Sequence, residues 1–448
     1  MLKINILLLL ISTSSLLFSQ ESLSLSGAIS KSLAQNYDIK IERRNVEVAK
    51  VNNTWGEAGL FPNLSTQIQG SQNTFDNREA LNPFSIIGKT KTTQIVPSLN
   101  LTWNLLNINN VRITKRRLEA LENESEGNAS IVVANTVQSV ILGYYIALLE
   151  KERLAELGEQ VELSRNKYEL VLNRKEIGVA VTSELLIEEG NYLTDSINFL
   201  NQKLIYANAL SNLAFLLGDD ATDPRYELTD ELVPDYSELD FQELLGRLNG
   251  SNIDLRTQYL TQAVLGYDKV LRAGERHPQL TLGANYDFTR NEQDISDWPS
   301  DIRGQLPETG NNENITYGVN FTLSFTLFNG GRINRAIQEA KIQEDIGNVR
   351  IERLKASLAR DLKQAYDQYN IRRNLYLINE RRFASSKRSL GISKDKFESG
   401  TIDSFDYRTV QNNNLTAAIS RLQSIYDLID SQITIMRLTG GIIETYNR

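Results

Sequence analysis

From Ile315 to Leu327 the chain alternates without a break. Ile315, Tyr317, Val319, Phe321, Leu323, Phe325 and Leu327 are apolar, and Thr316, Gly318, Asn320, Thr322, Ser324 and Thr326 between them are polar or glycine. A period of two puts one kind of side chain on each face of a β-strand. Leu280, Leu282, Ala284, Tyr286 and Phe288 repeat the pattern, as do Ile95, Leu99, Leu101, Trp103 and Leu105, with Pro97 a local irregularity; Leu64 to Phe75 alternates poorly. The pattern predicts two strand pairs, about 64–75 with 93–105 and about 279–289 with 315–328, each joined by a polar loop, about 76–91 and 290–314.

Elsewhere the period changes to that of long helices. Leu362, Tyr369, Tyr376, Phe383, Leu390 and Phe397 recur every seven residues, with Ala365, Arg372, Asn379, Ser386 and Ser393 between them. A seam that alternates large apolar with small or polar residues packs helices side by side, less greasily than a dry zipper. The eight prolines, at 62, 83, 97, 224, 234, 278, 299 and 307, leave 98–223 and 308–448 free of them. Long helices require such gaps, because an interior proline costs about 3 kcal/mol. Each gap has one break, Ile177-Gly178 and Ser399-Gly400. A helix over 112–176 alone would run about 98 Å at 1.5 Å per residue.

The two gaps are copies. Asn36-Tyr37-Asp38-Ile39 matches Asn252-Ile253-Asp254-Leu255, and Phe61-Pro62-Asn63-Leu64 matches His277-Pro278-Gln279-Leu280, both at a shift of 216. Leu105-Leu106-Asn107 matches Leu327-Phe328-Asn329, Gly178 matches Gly400 and Gly218 matches Gly440, all at a shift of 222. The expected organisation is a first repeat over 20–218 with a hairpin over 110–218, an acidic linker over 219–250 carrying Pro224 and Pro234, and a second repeat over 251–448 with a hairpin over 332–440. Residues 1–19 read as a secretory signal peptide: an apolar run from Ile4 to Phe18, with Ser19 at the cleavage position. No further segment is expected to form a transmembrane helix. Insertion into a bilayer would then fall to strands, since only helices and closed barrels satisfy their backbone in lipid.

Strands of 11 to 13 residues are long enough, about 9 to 11 being needed when tilted. Four strands cannot close alone. The smallest outer-membrane barrels have eight, so several chains are needed, and three copies would give twelve. One face would meet lipid, through Trp103, Tyr317, Phe321, Leu323 and Phe325, and the other a wet lumen. The competing arrangement is a soluble β-sandwich attached to an antiparallel coiled coil, which would make the chain a periplasmic or surface scaffold.

Composition narrows the chemistry. There is no cysteine, so neither a disulfide framework nor an N-terminal lipidated cysteine is available. The one histidine, His277, has no companion for metal binding, and no phosphate-cradling loop or nucleophile motif occurs. Neither an enzyme nor a cofactor or metal is expected. The net charge of −8 is scattered, with no basic patch for nucleic acid.

The segment Leu327-Phe328-Asn329-Gly330-Gly331-Arg332 resembles the strand-to-helix junction of TolC-like outer-membrane efflux proteins. Its first-half copy, Leu106 to Val111, lacks the paired glycines. Ala28 to Pro62 is similar to that family's opening helices, and Ile177-Gly178-Val179 and Ser399-Gly400-Thr401 resemble its hairpin turns; the resemblance covers essentially the whole mature chain. It implies a mainly α fold with β, a TolC-like trimeric duct in which a twelve-stranded β-barrel in the outer membrane continues into a periplasmic α-barrel. It also implies a passive exit duct fed by an inner-membrane pump through a periplasmic adaptor that meets the helical tips, here Arg174, Gly178, Val179, Lys396, Gly400 and Thr401. Glu184 and Asp406 each follow a tip glycine by six residues. In a trimer they would ring the mouth with carboxylates, favouring cations; alternatively each is an acid satisfying a helix N-terminus. Asp403 and Phe397 complete the expected constriction. The family's tyrosine, arginine and second acid are replaced here by Phe397, Ile402 and Thr409.

Overall fold

A computed structural model describes residues 21–79, 87–106, 108–222, 224–304 and 306–442. The expected signal peptide and residues 80–86 of the first polar loop lie outside them. The chain runs β1 (Glu21–Leu23), α1 (Leu25–Gln35), α2 (Tyr37–Asn52), β2 (Asn63–Asn77), β3 (Gly88–Asn104), α3 (Ile108–Glu176), α4 (Thr182–Leu217), β4 (Tyr226–Leu228), α5 (Phe241–Ser251), α6 (Ile253–Gly274), β5 (Gln279–Asp294), α7 (Ser300–Arg303), β6 (Thr309–Ser324), α8 (Arg332–Glu398) and α9 (Ser404–Leu438). Contacts divide it into two compact units. Among the described residues, one holds those before 45 with those of 128–256 and those after 352; the other holds those of 45–127 and 257–352.

The second unit contains an antiparallel sheet in the order β2-β3-β5-β6. The strands are longer than the alternation suggested, because polar residues continue the ladders past the apolar stretch: Asn311 pairs with Glu292 and Thr309 with Asp294. Two expectations need correcting. The last strand runs over Thr309–Ser324, not 315–328, so Phe325 lies just beyond its end. The loop expected over 290–314 shrinks to the residues between Asp294 and Thr309 and carries the short helix α7. Pro97 has no amide hydrogen to donate, and the β3–β5 ladder skips Val96 and Pro97 without shifting register. Leu64 to Phe75, which alternates poorly, is an edge strand paired along its whole length with β3. The edges β2 and β6 each pair on one side only. In the same unit α6 and α8 are joined by an ion pair, Lys269–Glu344 at 2.6 Å.

The first unit is built on α3, α4 and α9 around a buried cluster that includes Ile141, Tyr144, Leu148, Leu213, Leu217, Ile425 and Ile429. One segment bears on the expectation that no further helix crosses a membrane: α3 holds an 18-residue window with mean hydropathy 1.7, apolar enough to do so by length and composition, and 44% of that window is buried within the chain. Its Val137, Val140, Ile141, Tyr144, Ala147 and Leu148 fall on one helical face and pack into this core. The hydropathy therefore marks a core helix. The Tyr144 hydroxyl lies 2.6 Å from the Asp230 carboxylate and 2.9 Å from the Leu23 carbonyl. Burial, with Asp230 alongside, pushes the Tyr144 phenol well above its ordinary range.

The duplication has a structural reason inside this unit. Asn36 accepts hydrogen bonds from the Asp38 and Ile39 amides at the start of α2 while its Nδ2 donates to the Leu216 carbonyl at 2.8 Å. Asn252 does the same at α6, accepting from the Leu255 amide and donating to Leu438 at 2.8 Å. Each asparagine thus starts one helix and ties it to the end of another. The closing glycines, Gly218 and Gly440, have φ of 77° and 78°, and a Cβ on either would lie 2.3 Å from a carbonyl, Gln35's or Ser251's. The acidic linker begins with β4, which pairs with β1 in parallel, and then lies on α8. Tyr369 donates to the Ser237 carbonyl at 2.7 Å and Arg373 to the Tyr236 carbonyl at 2.8 Å. The linker ends within helix: α5 spans 241–251, so the boundary expected at 250 falls inside its last turn.

Candidate functional site

The register separates the sheet into two unlike faces. Val319, Ala284, Leu101 and Leu64 lie in one cross-strand row, with Tyr317, Tyr286, Leu99 and Thr66 in the next and Phe321, Leu282 and Trp103 on the other side. Tyr317, Phe321 and Leu323 are largely exposed, at 76%, 65% and 64%, so none of the described residues covers this face of β6. Trp103 is partly covered, and its indole donates to the Leu60 carbonyl at 2.9 Å. The opposite face consists of Ser, Thr, Asn, Gln and Gly with few exceptions, as in the row Ser65, Asn100, Asn285, Gly318. Charge obeys the same division. Asp76, Lys89, Lys91, Arg290, Glu292, Asp294 and Glu313 all fall on the apolar face, past its apolar rows toward the hairpin ends, and Asp287 is the one charged side chain of the four strands on the polar face.

The helical tips are built alike up to the turn. Gly178 and Gly400, with φ of 79° and 73°, each occupy the left-handed position of a Schellman motif. The Val179 amide donates to the Arg174 carbonyl and Gly178 to Lys175; in the second copy Thr401 donates to Lys396 and Gly400 to Phe397. The returning helices differ. Asp403 is the N-cap of α9, its carboxylate accepting from the Asp406 amide at 2.7 Å, whereas Val181 at the start of α4 caps nothing with its side chain. Glu184 stands in the first turn of α4 and is half-buried; Asp406 stands in the first turn of α9 and is exposed.

Below the turns lies a buried polar network that joins the two hairpins. Lys167 on α3 and Glu188 on α4, 4% and 2% exposed, form an ion pair at 3.0 Å. The Lys167 ammonium also donates to the Ser404 carbonyl at 2.8 Å, and the Ser404 hydroxyl donates to Glu188. Burial pulls the Lys167 pKa down, and the Glu188 charge opposes that shift. Two turns further along α4, Asp195 takes both terminal nitrogens of Arg408 at 2.7 and 2.8 Å and accepts from Gln160 at 3.1 Å. Phe397 stacks on Tyr407 with centroids 4.9 Å apart, and Lys167 and Arg174 both approach the Phe397 ring at 5.5 Å.

A scan against protein families matches the outer membrane efflux protein model over residues 28–219 and 244–441, both repeats together. The chain belongs to the outer membrane efflux protein family. No curated protein matches the sequence significantly. Among solved structures, the Campylobacter jejuni CmeC outer membrane channel is similar with a TM-score of 0.72 at 18% identity, over 93% of this chain and 85% of that one. The Vibrio cholerae outer membrane protein VceC gives 0.66 at 12%, over 93% and 96%. The open state of the Neisseria gonorrhoeae MtrE outer membrane channel gives 0.69 at 13%, over 93% and 89%. At such identities the likeness establishes the fold, a TolC-like one, mainly α with β.

For this efflux protein the outer membrane and a channel fold, not an enzyme's, follow from the family match. Its tip positions Lys396, Gly400, Thr401, Gly178 and Val179 are exposed, while Arg174 is half-buried under Phe397 and Phe397 itself is 4% exposed. Asp403 acts as a helix cap. The residues most deeply engaged at the tip, Lys167, Glu188, Asp195 and Arg408, are absent from the sequence-derived set. No local signal marks them, because each ion's partner comes from another helix.

Proposed function

We propose that the chain is the passive exit duct of a tripartite efflux or type I secretion system. Three copies close a twelve-stranded barrel in the outer membrane, their helices extend into the periplasm, and an inner-membrane pump acting through a periplasmic adaptor drives the cargo. The observation that carries the reading is the four-stranded sheet, with two unpaired edges, one apolar uncovered face and one nearly neutral polar face. Ile315 to Leu323 covers about 27 Å along its strand at ~3.4 Å per residue. A tilt of 35–45° leaves roughly 20 Å of that along the membrane normal, and Phe325 just past the strand extends it toward the ~25 Å apolar band of such barrels. The exposed turns at Gly178-Val179 and Gly400-Thr401, with Lys396 and Arg174, are the surfaces offered to the adaptor.

Membrane fractionation tests the duct. The protein is expected in the detergent-solubilised outer membrane as a trimer that dissociates only on heating. Recovery in the carbonate-soluble fraction as a monomer or dimer would replace the duct with a coiled-coil scaffold.

At the mouth, Glu184 and Asp406 from three copies would make a ring of carboxylates that prefers cations, with Phe397 packed behind it. Glu184→Gln with Asp406→Asn is therefore expected to lower cation preference in planar-bilayer recordings while leaving the passage of neutral solutes nearly unchanged. Full retention of cation selectivity would reduce both acids to first-turn residues at helix N-termini.

A further inference from the structure

We propose that Asp287 is the charge-selecting residue of the barrel's inner wall, and that the rest of that wall passes solutes without regard to their charge. The proposal rests on the duct reading, in which copies of the sheet close with the polar face inward. Every other charge on the four strands lies on the opposite face. Hydroxyls and amides exchange hydrogen bonds with a passing solute much as water does, and they carry no net charge with which to attract or repel it. Asp287 interrupts this neutrality in the row Gln67, Ser98, Asp287, Thr316. Its carboxylate accepts a hydrogen bond from Asn285 at 2.5 Å, and neither Arg290 nor any lysine of the sheet shares its face. Three copies give a ring of carboxylates at one level, the arrangement that favours cations over anions in pores. Its reach is short. A fixed charge is screened over about 8 Å at physiological ionic strength, less than two rows of side chains. Cationic solutes are therefore enriched and anionic ones depleted at that level alone.

The absence of cysteine from the chain allows a direct reading of this field. Ser98→Cys puts one thiol in register beside Asp287, and Gln94→Cys puts one on the same face about 13 Å along the strand at ~3.3 Å per residue. The outer-membrane trimer is treated with a cationic and an anionic methanethiosulfonate of similar size, with and without Asp287→Asn. At Ser98→Cys, the ratio of cationic to anionic rates is expected to fall about fourfold when Asp287 is made neutral, as a screened unit charge some 5 Å away gives. At Gln94→Cys it should stay unchanged. An unchanged ratio at Ser98→Cys overturns the assignment while leaving the duct reading in place. If Ser98→Cys reacts with neither reagent in an assembled trimer while Leu99→Cys reacts with both, the inward face has been misassigned and the proposal falls with it.

Discussion

Phe321→Arg is expected to leave almost no heat-dissociable trimer in the outer membrane, whereas Thr322→Arg, one residue along the same strand, assembles at close to the parental yield. Phe321 lies in a row with Leu282 and Trp103, one row from Val319 near the centre of the apolar stretch, and is 65% exposed in the protomer. A cation on the lipid face near mid-bilayer costs about 2 to 4 kcal/mol, and three copies incur it at once. Thr322 pairs with Thr281 on the polar face, where an added charge meets water. Trimer yield is read from unheated and heated gels of outer-membrane extracts. Equal loss in both variants would mean that the two faces of β6 do not meet different solvents.

Glu188→Ala is expected to lower the unfolding temperature of the detergent-solubilised protein by roughly 10 °C, on the scale of 2–4 °C per kcal/mol for a unit of this size. The ammonium of Lys167 is almost wholly buried, with Glu188 at 3.0 Å as its counter-charge. Removing one partner of such a pair costs about 3–5 kcal/mol, because the other charge stays buried without compensation. The double variant Lys167→Met with Glu188→Leu removes both charges, and replacing a buried pair by apolar residues of similar volume is often neutral or stabilising. The double variant should thus melt near the parent and well above the single one. If both melt alike, the pair is not held in the dry setting described, and the hairpin tips are joined by something else.

What could be read in the sequence follows from how local each signal is. The alternation of β6 was legible because each face there has one chemistry for the whole apolar stretch. β2 was not: Thr66, Gly70 and Gln72 occupy its apolar-side positions, and Phe75 lies on its polar side. The tip glycines were legible because a left-handed turn leaves few other residues possible. The ion pairs were not, since the partners of Lys167–Glu188 come from different helices and those of Asp195–Arg408 from different hairpins. On a long helix a lysine reads as a solvated residue unless its partner's position is known. Asn36 and Asn252 were visible as a repeat, yet their reason, a carbonyl near the end of a distant helix, appears only in three dimensions.

In the proposed duct, the unpaired edges of β2 and β6 bear on how copies find one another. An uncovered edge is a template for any strand that presents free amides and carbonyls, and here it adjoins an apolar face that a lone protomer leaves in water. Pairing β6 of one copy with β2 of the next must keep both faces in phase, so a slip of a single residue would turn Phe321 and Val319 toward the aqueous side and is excluded by its cost. A slip of two residues keeps the phase and shifts the pairing by about 7 Å. Misassembled rings should therefore fall into discrete classes, and the transition between them requires breaking a whole ladder of hydrogen bonds. Correct alignment must be reached before the ring closes, since no small adjustment afterwards can recover it.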